Sequence, residues 1–239
     1  MNASNVMSFP AGGSQSLPGR LAQVIKAGLL ACLVWNPPAL AAPSDAVLSV
    51  SVVDARGHAM EHAVVSLHSA ELSKAATQAI AVMDQQNLQF APSVVAVQAG
   101  TLVEFPNQDD VRHHVYSFSH PNAFELKLYH GQTGNYNRFD HPGVVVLGCN
   151  IHDGMLGYLR VVDTPLFATS DEAGRLTIGS AVRGVHQMQV WHPDMGMKIM
   201  RQDVTLVSGM NTVTVRVNET AAPMPDRKPV HSLQSLFRD

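Results

Sequence analysis

The sequence predicts an all-β protein built from packed antiparallel sandwiches, and three observations predict it. Apolar residues alternate with polar ones in short period-two runs. Gly, Pro, Asn and Asp separate those runs. Beyond the first forty or so residues no stretch sustains a helical period. Of the 239 residues 46% are hydrophobic and 15% charged, so the chain can bury a core. The net charge is −3 with no long basic run, which offers nucleic acid no electrostatic footprint.

Residues 1–41 read as an export leader. Arg20 and Lys26 are the bases before an apolar run, Ala27 to Trp35, that is too short to span a membrane as a helix. Ala39-Leu-Ala41 then supplies a small-x-small cleavage site. The mature protein is therefore expected in the periplasm, with no membrane span. Leu29-Leu-Ala-Cys32 has the outline of a lipoprotein box, but the apolar run continues past it. Cleavage removes Cys32 and leaves Cys149 alone. In an oxidising compartment a lone cysteine is an inert core residue, half of an intermolecular bridge, or a metal ligand.

The strands follow in order. Leu48, Val50 and Val52 alternate with Ser49 and Ser51, and Ala63, Val65 and Leu67 repeat the period after an Asp54-Ala-Arg-Gly57 turn. Residues 78–163 carry a full set of strands and every candidate ligand. Leu176 and Ile178, then Val213, Val215 and Val217, resume the alternation in a part expected to hold about four strands. Neither flank, 46–72 or 165–218, is complete alone. Together they are large enough for a small sandwich if they pack on each other, in which case 78–163 is inserted between them; the simpler alternative is three consecutive pieces with no shared sandwich. The tail, 219–239, is polar and proline-bearing and is expected to be mobile.

The chemistry concentrates in Cys149-Asn-Ile-His152-Asp-Gly-Met155, between the apolar runs Val144–Leu147 and Leu156–Leu159. A thiol, an imidazole and a thioether at i, i+3 and i+6 can converge from one tight loop. These soft and borderline donors favour copper over magnesium, calcium or manganese, and the thioether disfavours zinc. A fourth ligand must come from Asn107-Gln-Asp-Asp-Val-Arg-His113-His114. Neighbouring residues of an extended chain face opposite ways, so one of the two histidines reaches the metal; spacing alone leaves open which. Asn107 is expected to hold the ligand histidines in fixed tautomers.

A second soft cluster, Trp191-His192-Pro-Asp-Met195-Gly-Met197-Lys-Ile-Met200, reads as a strand end and hairpin whose methionines pack on the sandwich. His58, His62 and His68 read as surface residues. No His-x-His pair, phosphate-binding glycine loop or serine or cysteine nucleophile with an evident base and acid occurs, so no enzyme is expected.

Residues 79–162 resemble the plastocyanin, amicyanin and pseudoazurin group of cupredoxins. The resemblance rests on Phe90 to Asn107 in the pattern F.P..V.V..G..V.F.N, on His113-His-Val115, and on Cys149-x-x-His152-x-x-Met155 with amicyanin-like spacing. It implies a Greek-key β-sandwich and one type 1 copper ion, bound by His113, Cys149 and His152 with Met155 as the axial ligand. It also implies single-electron transfer, through the exposed edge of His152, between a donor and an acceptor it does not identify. His114 falls on a family position whose side chain helps hold the two ligand loops together. The loop lacks the family's proline, which bears on rigidity and removes no ligand.

The flanks resemble the carboxypeptidase regulatory-like domain, an immunoglobulin-like sandwich. The matching patterns are V.D..G.....AVVSL from Val52, T.D..G.L.I from Thr169 and V.L..G.N.V.V from Val204. The whole chain resembles exported proteins labelled methylamine utilization proteins, notably across Arg112–Phe118 and Gly148–Asp153. That label denotes a pathway association and no reaction. The alternative is copper delivery or sensing without redox turnover, whose mark would be the Met-rich 192–200 segment facing the ligand loop.

Overall fold

A computed structural model describes residues 45–70, 72, 78–131, 134–181 and 183–218, and the statements below concern those residues. The expected leader and tail lie outside them. The fold is all-β. Strands β1 (Ala46–Asp54) and β2 (Val64–His68) come first. The middle of the chain supplies β3 (Ile80–Val82), β4 (Asp84–Gln86), β5 (Gln89–Ala91), β6 (Val94–Gln98), β7 (Thr101–Glu104) and β8 (His113–Ser117). It continues with β9 (Phe124–Tyr129), β10 (Tyr136–Phe139), β11 (Gly143–Gly148) and β12 (Leu156–Val162). Last come β13 (Phe167–Thr169), β14 (Arg175–Ala181), β15 (Gly184–Trp191), β16 (Met200–Leu206) and β17 (Gly209–Val217). No helix among the described residues is long and apolar enough to cross a membrane.

The flanking strands pair with one another. One sheet has the order β14-β1-β17, with β1 and β17 parallel over nine consecutive positions from Ala46↔Gly209 to Asp54↔Val217. A second has the order β13-β2-β15-β16. Leu48, Val50 and Val52 of β1 meet Leu176, Ile178, Val215, Leu67, Met188 and Val190 in one apolar cluster. The alternation read along β1 is the alternation of its burial.

The middle strands form sheets of order β6-β12-β11-β8-β9 and β10-β7-β3, with β4 and β5 paired as a hairpin. A second apolar cluster lies between them, with Val103, Phe105 and Phe139 on one side and Val115, Val145, Leu147, Leu159 and Val161 on the other. Phe105, Phe124 and Phe139 stack within it, their ring centroids 5.3 to 6.4 Å apart.

The five-stranded sheet is covered on both faces. Its second face contributes Val94 and Val144 to the first cluster. Tyr158 sets its ring 5.7 Å from that of Trp191. Four of the five residues of β2 are buried, Val64, Val65 and Leu67 of them in the first cluster. A polar seam runs along this face. Arg160, 3% exposed, donates to the carbonyls of Gly143 and Val161 and to Gln189 Oε1. Burial, more than the neighbouring Arg201, pulls its pKa down to about 10.

His68 belongs to the same seam, which corrects its reading as a surface residue. Its Nε2 lies 2.8 Å from Ser66 Oγ and its Nδ1 2.9 Å from Asp163 Oδ1. The fold thus assembles a serine, a base and an acid that no motif in the sequence brings together. Ser66 is 1% exposed, however, and so closed to any substrate. The chain ties β2 to the segment that leaves β12.

Candidate metal centre

Cys149 follows directly on β11, whose last residue, Gly148, lies against Tyr116. A Cβ on Gly148 would sit 3.0 Å from that ring. The loop returns to β12 through Gly154, at φ +86°, and closes with the Met155 N–H donating to the His152 carbonyl at 3.2 Å. The two apolar strands therefore fix both ends of the 149–155 loop. From the other side comes His113, the first residue of β8, paired across the sheet with Tyr129 of β9.

These elements bring three donor atoms together. Cys149 Sγ lies 3.6 Å from His152 Nδ1 and 3.8 Å from His113 Nδ1, and the two Nδ1 atoms are 3.1 Å apart. The imidazole planes meet at 65°. His113 is fully buried, Cys149 is 7% exposed, and His152 is half-buried. Cys149 is a free thiol. Met155, 3% exposed, belongs to the same apolar cluster as Cys149.

His114 goes elsewhere. Its Nε2 bonds to Glu125 Oε1 of β9 at 2.7 Å, and its ring lies 5.6 Å from that of Tyr116. It acts between β8 and β9 and makes no hydrogen bond to the 149–155 loop, which corrects the expectation that it helps hold the two ligand loops together.

The partner of His113 is also not the expected one. Asn107 makes no hydrogen bond to His113 or His152; it closes its own loop, donating to the Val111 and Tyr129 carbonyls and accepting from the Asp109 N–H. Asp109 does the direct work, with Oδ2 2.8 Å from His113 Nε2. A carboxylate accepts only, so Nε2 is the donor of this bond, and Nδ1 is the ring atom that faces Cys149 and His152. Desolvation pushes the Asp109 carboxyl up, but the Leu88 N–H, His113 and the Asn87 N–H together hold it below its ordinary value. An acid in this loop is visible in the sequence. Nothing there separates Asp109 from Asp110.

Behind the site, the Tyr129 hydroxyl donates to the Phe105 carbonyl at 2.6 Å, and Gln85 donates to the hydroxyl in turn. Burial, opposed by the Gln85 bond and aided by Cys149, raises the tyrosine pKa well above its ordinary value. The phenol therefore stays protonated.

The donor set fits a soft or borderline metal. A thiol and two imidazole nitrogens converge, one imidazole is held at its far nitrogen by a carboxylate, and the surroundings are apolar. The Met-rich segment offers no comparable set. His192 accepts from the Asp194 N–H at Nδ1 and donates to the Glu61 carbonyl at Nε2, which uses both ring nitrogens. Met195, Met197 and Met200 line a cavity of about 620 Å³ that has Lys198, Arg201 and Arg216 in its wall and no residue of the 149–155 loop. Three cations in that wall repel a metal ion.

No family model matches this chain, and no curated protein does. Solved structures are similar over part of it. A purple cupredoxin from Nitrosopumilus maritimus is 20% identical, covering 36% of this chain and all of its own, at a TM-score of 0.31. Pseudoazurin from Methylobacterium extorquens AM1 is 24% identical over 36% of this chain and 76% of its own, at 0.30. A copper-containing nitrite reductase from Thermus scotoductus SA-01 is 25% identical over 41% of this chain, at 0.34, and this chain spans a quarter of its length. Likenesses so partial carry no weight for the chemistry, which rests on the geometry.

Proposed function

We propose that this chain is a periplasmic copper protein that holds one type 1 copper ion and passes single electrons between redox proteins. The observation that carries the reading is the convergence of Cys149 Sγ, His113 Nδ1 and His152 Nδ1, all within 3.8 Å of one another. His113, Cys149 and His152 would be the strong ligands and Met155 the weak axial one. Copper bound by such a set supplies one-electron exchange, because thiolate, imidazole and thioether suit both of its oxidation states.

The chain's own residues favour this role over turnover of a substrate. The β11–β12 loop and the first residue of β8 hold the donors from three neighbouring strands of one sheet. Apolar packing around Cys149 and Met155 keeps water out. His152 alone of the three donor residues has substantial access to solvent, so its ring edge is the route for the electron. Exposed apolar residues lie beside the two ligand loops: Ile151 and Leu156 around the first, Val111 next to the second, and Leu88 on the turn bonded to Asp109. They suit brief contact with another protein. We read the middle strands as a Greek-key cupredoxin sandwich inserted into an immunoglobulin-like one. The pairing of β1 with β14 and β17, and of β2 with β13 and β15, supports this.

The test is to add Cu(II) to the purified protein and record its visible spectrum. An intense thiolate-to-copper band at one equivalent is the expected result; a colourless complex defeats the proposal. His114→Ala should keep the band, because that ring is committed to Glu125. Loss in His114→Ala with retention in His113→Ala would overturn the ligand assignment.

Met155→Leu separates the axial role from packing. The volumes are close, so the fold should lose less than about 1.5 kcal/mol. The band should persist, since the thiolate is untouched, while the reduction potential rises because the oxidised ion loses a donor. An unchanged potential would mean that Met155 is only core.

A further inference from the structure

We propose that Asp109 is a positioning residue: it fixes the His113 ring with its Nδ1 lone pair aimed at Cys149, and its charge favours the oxidised state of a metal held there. This inference rests on the copper reading above. It begins with His113, fully buried and bonded at Nε2 to the Asp109 carboxylate at 2.8 Å. The neutral imidazole carries one ring proton. Because the carboxylate accepts a hydrogen bond from the ring N–H at Nε2, Nδ1 is left as the ligand atom without any help from the metal.

Asp109 is itself held in place. Its Oδ1 accepts from the Asn87 N–H at 2.7 Å and its Oδ2 from the Leu88 N–H at 3.0 Å. Its own N–H donates to Asn107 Oδ1 at 2.9 Å. Asn87 and Leu88 both take left-handed backbone angles, φ 56° and 60°, which turn two successive N–H groups toward one carboxylate. Four hydrogen bonds thus meet at this residue, and it cannot swing away from the ring. A carboxylate against an imidazole also raises the basicity of the ligand. The more highly charged copper ion gains more from that than the reduced one.

Two substitutions divide the effect. Asp109→Asn can still accept from His113 through its amide oxygen but carries no charge. Asp109→Ala removes both. In copper-free protein, nitrogen NMR should find His113 protonated at Nε2 in the wild type and in Asp109→Asn, and mixed between the two nitrogens in Asp109→Ala. In copper-loaded protein, both variants should lose about tenfold in preference for Cu(II) over Cu(I). That is a rise of about 59 mV in reduction potential. His114→Ala, whose ring faces Glu125, should leave both readouts unchanged.

The inference is overturned if copper-free wild-type His113 carries its proton on Nδ1, if Asp109→Ala leaves the tautomer intact, or if Asp109→Asn leaves the potential unmoved. A wild-type protein without the thiolate band would instead defeat the proposed function. The copper-free spectrum would still decide whether Asp109 sets the tautomer.

Discussion

Cys149→Ser removes the visible band entirely and weakens Cu(II) binding by more than the ~10–100-fold that loss of an outer-shell partner costs. The band requires a thiolate, and a serine hydroxyl does not ionise in the same range or donate as a soft ligand. The fold should survive. Cys149 is 7% exposed, and serine differs from it by a single atom of smaller size, so the substitution adds no bulk to the loop. The copper-free variant should therefore melt close to the copper-free wild type. A blue Cys149→Ser protein would place the copper elsewhere and end the electron-transfer reading.

The same residue marks how much of the site was legible. Cys149, with histidine and methionine at i+3 and i+6, singles out a donor cluster because few other patterns put three soft or borderline ligands in one loop. Alternation limited the second loop to one histidine of the 113–114 pair but could not choose, since period two separates faces without naming the inward one. The structure separates them through pairing: His113 lies opposite Tyr129 on the inner face, and His114 turns to Glu125. Asp109 could not be anticipated because its role depends on a turn at Asn87 and Leu88, a segment whose three-residue strands are too short to show a period.

Similar limits governed the fold. Strand β1 was readable because only one of its faces is buried. Ala63, Val65 and Leu67 alternate as a half-buried strand does, yet Val64 and Ser66 are buried too. A sheet covered on both sides hides the signal that alternation depends on. The seam of Ser66, His68 and Asp163 was invisible for a related reason: β2 and the end of β12 meet only through tertiary packing. Local chemistry was easier. Asp54 and Asp171 each open a D-x-x-G turn, accept from two backbone N–H groups, and leave the left-handed position to Gly57 and Gly174. The His58 N–H above all holds the Asp54 carboxyl below its ordinary value.

Those two glycines are alike in sequence and should differ sharply in what they tolerate. Gly57 has φ +89°, and a Cβ there would find nothing closer than Arg216 Nη1 at 3.9 Å. Gly57→Ala should therefore cost only the left-handed penalty, about 1–2 kcal/mol. Gly174 has φ +70°, and its Cβ would fall 2.4 Å from the Val52 carbonyl oxygen and 3.0 Å from the Met60 nitrogen. Neither atom can retreat. The Val52 carbonyl accepts from Met60 at 3.0 Å, and the Gly174 carbonyl accepts from the Val52 N–H at 2.7 Å, so three segments are bonded backbone to backbone at this point. Gly174→Ala should cost about 2–5 kcal/mol, the left-handed penalty plus overpacking against atoms that cannot move. Denaturant unfolding of the two variants side by side measures the difference, and equal costs would refute the close approach. Following the copper band through the same transition adds a second reading. Val94 and Val144 of the middle sheet share the outer core, so the band should disappear at the same denaturant concentration as the β-sheet signal. A band that outlasts the sheet signal would mean that the copper-bearing strands stand without the flanks.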